Sequence, residues 1–195
     1  MTAAIPLLLR AGARAAVAWK NGGGVTREVA AHPPGSDLDS FEWRVSIAEV
    51  NCGGPFSSFA GVDRRMAVLA GTLELVIAGR EALVLSAESA PVAFPGDVAV
   101  TAAPRGAAVT DLNVMTRRGR CDARLARRTA GSPVQLALHA DTVLVIALAD
   151  LALRCAGAEH ALGRLDAARF EGATRCQIVP REAQAAFYLV ELRNL

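Results

Sequence analysis

The feature that most constrains this chain is its division into short apolar runs separated by glycine or proline. The segment Phe41-Glu42-Trp43-Arg44-Val45-Ser46-Ile47 alternates apolar and polar side chains over its whole length, which is the period of a half-buried strand. Similar runs lie at Met66 to Leu69, Leu73 to Ile77, Ala82 to Leu85, Val98 to Thr101 and Val109 to Met115. Strands this closely spaced predict an all-β sandwich or barrel. Helix is expected in only two places, Ala11 to Ala18 and Glu182 to Ala186, where alanine favours the helical backbone but no long amphipathic stripe develops.

An internal repeat sharpens this reading. Leu73, Leu75, Gly79 and Glu81 recur 78 positions later as Leu151, Leu153, Gly157 and Glu159. A two-residue deletion sets Phe94-Pro95-Gly96 over Phe170-Glu171-Gly172, and the original spacing returns where Ala107-Ala108-Val109 meets Ala185-Ala186-Phe187. The expectation is two small barrels, residues 1–116 and 117–195. The second barrel has Leu189 and Glu191 where the first has Asp111 and Asn113, so equivalent pockets are not expected.

Composition removes several function classes. No apolar stretch reaches the roughly 20 residues of a bilayer-spanning helix: Arg10 closes the first candidate and Asp150 interrupts Val143 to Leu153. The N-terminal sequence lacks early positive charge and has a short apolar run, so a cytoplasmic protein without a membrane partner is expected. Cys52, Cys121, Cys155 and Cys176 form no CxxC pair, and His32, His139 and His160 form no HxH or HxxxH pair, so neither a metal site nor a cofactor is expected. The net charge is only +2, and the arginines between Arg117 and Arg128 are not interleaved with aromatic residues for base stacking, which argues against nucleic acid.

The residues able to carry chemistry begin with Trp19-Lys20-Asn21-Gly22-Gly23-Gly24-Val25-Thr26-Arg27-Glu28. Its glycines allow a tight turn or close approach of a ligand to the main chain, but neither the P-loop nor the dinucleotide fingerprint is present. Lys20 is the single lysine among 21 basic residues, and a compact ammonium differs from a guanidinium in shape and in capacity to lose its proton. Arg44 and Ser46 share the polar side of their strand and face either a barrel lumen or water; Asp111 and Asn113 form a second such pair. Between Gly53 and Arg65, Ser57 and Arg64 are candidates for holding a carboxylate by charge-assisted hydrogen bonds, with a structural turn around Asp63 and Arg64 as the alternative.

Taken together, Trp19-Lys20-Asn21-Gly22-Gly23-Gly24 with Thr26-Arg27-Glu28, Phe41-Glu42-Trp43-Arg44, Gly54-Pro55-Phe56-Ser57, Gly61-Val62-Asp63-Arg64 and Asp111-Leu112-Asn113-Val114-Met115 resemble the HutD/Ves family as far as Arg120. The resemblance implies a bicupin of two jelly-roll barrels. It also implies a role in control of histidine utilisation through a small anionic metabolite of the urocanate or formiminoglutamate class. Lys20, Arg27, Arg44 and Arg64 are then the expected anion-binding groups, with Asp111 and Asn113 orienting polar atoms, and a homodimer is the candidate assembly. The histidine and glutamate ligands usual in metal-binding cupins are missing. Two further readings remain open: a metal-independent enzyme acting on a small carboxylate, with Lys20 or Glu28 moving the proton, and a stress-related interaction protein without a small ligand.

Overall fold

Residues 4–195 are described in the computed structural model of the chain. The chain forms strands β1 (Leu7–Leu9), β2 (Ala16–Ala18), β3 (Gly24–His32), β4 (Trp43–Val50), β5 (Gly54–Pro55), β6 (Val62–Ala70), β7 (Leu73–Ile77), β8 (Leu83–Leu85), β9 (Val92–Pro95), β10 (Val100–Pro104) and β11 (Val109–Arg117), with clean alternation of burial in strands such as β7 and β10. They continue as β12 (Cys121–Ala130), β13 (Val134–Leu138), β14 (Thr142–Ala147), β15 (Leu151–Cys155), β16 (Ala158–Leu162), β17 (Ala167–Glu171), β18 (Thr174–Pro180) and β19 (Ala185–Asn194).

The chain divides into two units, one formed by Arg14–Asp122 and the other by residues 4–13 with Ala123–Leu195. In the first unit a six-stranded sheet runs in the order β2-β3-β4-β11-β6-β9 and a four-stranded sheet in the order β5-β10-β7-β8. Val50, Met66, Val68 and Val109 from the larger sheet share one apolar cluster with Leu73, Leu75, Ile77, Val100 and Ala102 from the smaller, so the core lies between the sheets. Each large side chain buried there contributes about 1.5–3 kcal/mol of transfer free energy.

In the second unit the sheets run β1-β17-β14-β19-β12 and β13-β18-β15-β16. The series β4-β11-β6-β9 with β5-β10-β7-β8 is thus repeated as β12-β19-β14-β17 with β13-β18-β15-β16, which is the 78-residue repeat in spatial form. The paired sequence landmarks occupy matching places: Leu73 and Leu75 on β7 and Leu151 and Leu153 on β15 are buried, as are Phe94 on β9 and Phe170 on β17.

Both helix expectations fail. Ala11–Ala13 forms a single 3-10 turn, and Ala16–Ala18 is an edge strand with Ala16 opposite Arg27 and Ala18 opposite Val25. Glu182, Ala183 and Gln184 lie outside regular structure, and Ala185 begins β19. Alanine's preference for helix amounts to a few tenths of a kcal/mol per residue, and a ladder of strand hydrogen bonds outweighs it. The N-terminal strand β1 belongs to the second unit, where it pairs with β17. Asp166 holds the segment after it by accepting hydrogen bonds from the Ala11 N–H and from Arg10, each at 2.7 Å.

Candidate functional site

Side chains of directly paired residues project from the same face of a sheet, so strand register shows which candidates meet. On β11, Asp111 stands between Ala48 and Val68, Asn113 between Ser46 and Met66, and Met115 between Arg44 and Arg64. On β3, Thr26 is opposite Ala48 and Glu28 opposite Ser46; on β9, Phe94 is opposite Arg64. Val50, Met66, Val68 and Phe94 on this face belong to the core cluster, so it is the inner face of the first unit. The open question over Arg44 and Ser46 is thereby answered: both point inward.

Three of these groups form a buried relay. Arg64 Nη2 donates to Asn113 Oδ1 at 2.7 Å, and Asn113 Nδ2 donates to Asp111 Oδ1 at 2.6 Å. Arg64 and Asn113 are each 7% exposed and Asp111 only 1%, far below the usual exposure of charged side chains. Burial pushes the Asp111 carboxyl up to about 7, against the opposing pull of the Arg64 charge and the Asn113 hydrogen bond. Burial also lowers the Arg64 guanidinium to about 10, with Asp111 acting the other way, so Arg64 stays charged at neutral pH.

Aromatic rings complete the surroundings of Arg64. Its guanidinium carbon lies 4.9 Å from the Phe56 ring centre, 5.2 Å from Phe94 and 5.9 Å from Phe59. Cation–π contacts of this kind are worth roughly 0.5–2 kcal/mol and compensate part of the lost hydration. Arg64 Nε is buried without a hydrogen-bond partner, so the cluster retains an unused N–H donor. No spacing in the sequence marks Phe56, Phe59 and Phe94 as site residues. The alternative of a turn around Asp63 and Arg64 does not hold, since both lie within β6.

A second pair lies nearer solvent. Arg44 Nε donates to Glu28 Oε2 at 2.9 Å, and Arg44 Nη1 donates to Ser46 Oγ at 3.3 Å. The Arg44 side chain is 15% exposed and that of Glu28 43%. Arg44 is therefore neutralised by direct contact, whereas Arg64 reaches its carboxylate only through an amide.

The glycine-rich segment forms the turn from β2 to β3. The Gly23 N–H donates to Asn21 Oδ1 at 3.0 Å, and Gly22 adopts φ 69°, a conformation that favours glycine. Trp19 Nε1 donates to Thr26 Oγ1 at 2.8 Å while its ring packs against the core cluster. A Cβ at Gly24 would lie 2.4 Å from the Glu49 carbonyl oxygen and 3.1 Å from the Trp19 ring, so the absence of a side chain permits this packing.

Some candidates stand apart. Lys20 is exposed on the turn, outside the buried relay, and Ser57 is exposed between β5 and β6. Arg27 is opposite Ile47, on the face away from the relay, and its Nη1 donates to Glu49 Oε1 at 2.6 Å. Adjacent residues on a strand face opposite ways, so Arg27 and Glu28 cannot both line the interior.

The donor set does not fit a divalent cation. Among the described residues no three histidine, cysteine, aspartate or glutamate side chains gather in a group able to hold one. The buried carboxylate instead shares its surroundings with an amide and a guanidinium, which are poor company for a metal ion. Among the described residues the second unit has no counterpart of the relay: Leu189, opposite Val145 as Asp111 is opposite Val68, lies in the apolar cluster.

The arrangement of paired sheets is that of the cupin fold. The Cupin 2 conserved barrel domain protein from Leptotrichia buccalis superposes with a TM-score of 0.62 over 91% of this chain and 92% of its own, at 10% identity, a likeness of fold alone. Sequence narrows the assignment: the HutD family model matches residues 11–187, and the chain belongs to the HutD family. An uncharacterised 21.2 kDa protein in the hutC 3' region of Pseudomonas putida is 37% identical over 188 residues, 95% of this chain and 96% of that one. Protein Ves from Citrobacter koseri is 42% identical over 115 residues, 57% of this chain and 59% of Ves. The structure of HutD from Pseudomonas fluorescens SBW25, in a formate condition, superposes with a TM-score of 0.83 at 30% identity, covering 98% of this chain and all of that one.

Proposed function

We propose that the first unit binds a small carboxylate metabolite at Arg64 and that this binding serves the control of histidine utilisation. The observation that carries the reading is a buried guanidinium engaged by a neutral amide, with an unpartnered Nε, on the inner face of the first unit. A carboxylate is the planar acceptor that best matches such a donor, because two parallel N–H groups are able to hold its two oxygens. Asn113 and Ser46 supply further polar atoms on the same face, and the Glu28–Arg44 pair stands at its more exposed side.

The names of the relatives support the metabolic setting: one lies in the hutC 3' region and another is named HutD. Urocanate and formiminoglutamate are the ligands to try first, in a protein working in the cytoplasm. Calorimetric titration with each is the test. Saturable heat with one of them, lost in Arg64→Met, supports the reading; no heat and no thermal shift with either counts against it.

A further inference from the structure

The wiring of the buried relay has a consequence for how it accepts a charge. Arg64 and Asp111 do not touch; Asn113 stands between them, accepting from one and donating to the other. A carboxylate docked on Arg64 places a second anion beside one cation in a space largely closed to water, where unlike and like charges act strongly. The least costly response is for one carboxylate to lose its charge.

We propose that Asp111 is a proton-coupled counter-ion of Arg64: docking of a carboxylate on Arg64 draws one proton from solvent onto Asp111, so anions bind more tightly as the pH falls. This rests on the anion-binding reading of Arg64. The balance is simple: the ionised site, one proton and the ligand anion combine to give the protonated site with its ligand, and no covalent bond changes except the new O–H on Asp111. Burial already holds the free Asp111 carboxyl at about 7, so the proton costs little near neutrality.

The neighbours of Asp111 leave few other groups able to take that role. Ala48 and Val68 flank it on β4 and β6, and Asn113 lies on its own strand. Thr26 and Glu28 face it from β3, Ser46 and Arg44 from β4, and Arg64 from β6. Glu28 and Arg44 already neutralise each other at 2.9 Å. The opposing sheet offers Leu73, Leu75 and Ala102, none of which titrates.

Sodium formate is the probe, since it stays ionised between pH 6 and pH 8. Its affinity for the full chain, followed by NMR, is expected to be about tenfold weaker at pH 8 than at pH 6, and flat with pH in Asp111→Asn. In the wild-type chain the 13Cγ resonance of Asp111 should titrate at higher pH when formate is saturating, a readout that stands even where the variant fails to fold. Equal affinity at the two pH values with an unmoved Cγ titration, or a tenfold dependence that survives in Asp111→Asn, overturns the proton coupling and leaves the anion site intact. Absence of formate binding at both pH values overturns the anion site, and the coupling with it.

Discussion

Replacing Asp111 by asparagine removes a titratable group and keeps its shape, so the variant isolates what a buried carboxylate costs the fold. A carboxyl held at about 7 in the folded chain and near 3.9 when unfolded binds more protons folded than unfolded between those values. The folded form therefore carries no penalty from this group below about pH 4, and the penalty grows from there until it levels off above about pH 7. Linkage places that penalty at ~4 kcal/mol at pH 8 but only ~1 to 2 kcal/mol at pH 5, a difference of ~2 to 3 kcal/mol. Other carboxylates act alike in both proteins and cancel. Urea unfolding of wild type and Asp111→Asn at the two pH values should therefore show the variant gaining ~2 to 3 kcal/mol relative to wild type on going from pH 5 to pH 8. In thermal unfolding the same gain is worth roughly 5–10 °C for a chain of this size. The constant offset from the altered contact with Arg64 does not enter that difference. Stability curves that run parallel across this range would refute the assignment of Asp111 as a carboxyl raised by burial.

Two other substitutions probe the frame of the site and the second unit. Gly24→Ala forces a methyl against the Glu49 carbonyl and the Trp19 ring, and should destabilise by about 1–3 kcal/mol or more, with a change in tryptophan fluorescence; an unchanged urea midpoint would contradict the close packing. Ala156 and Gly157, between β15 and β16, have φ of 51° and 77°, the hairpin turn in which asparagine followed by glycine is favoured. Ala156→Asn should stabilise by roughly 0.5–1 kcal/mol by urea unfolding, and a loss of stability would count against a left-handed residue there.

Much of the fold is legible in the order of residues because strand alternation and the repeat are local or nearly local signals. Leu73 to Ile77 reads directly as β7, and its displaced copy begins β15. Ala11 to Ala18 misleads because alanine has no strong pattern of its own, and the decision rests with pairing to β3, a contact that composition does not announce. The site divides in the same way. Alternation puts Asp111 with Asn113 and Arg44 with Ser46, but only register brings Asn113 beside Ser46 and sets Arg44 and Arg64 on either side of Met115. A register irregularity between Glu28 and Ala30 further hides which residues of β3 face inward. The rings around Arg64 come from three separate chain positions, so Phe56, Phe59 and Phe94 carry no signature readable from spacing. Lys20, the compositional oddity, lies exposed on a turn, and the buried chemistry belongs to arginine.

A crystal structure of the full chain with urocanate or formate bound would show directly whether Arg64 in the first unit holds a carboxylate. The expected result is a ligand carboxylate within hydrogen-bond distance of the Arg64 guanidinium, on the face shared by Asn113 and Ser46. A ligand seated in the second unit or on the outer face beside Arg27, with Arg64 untouched, would contradict it.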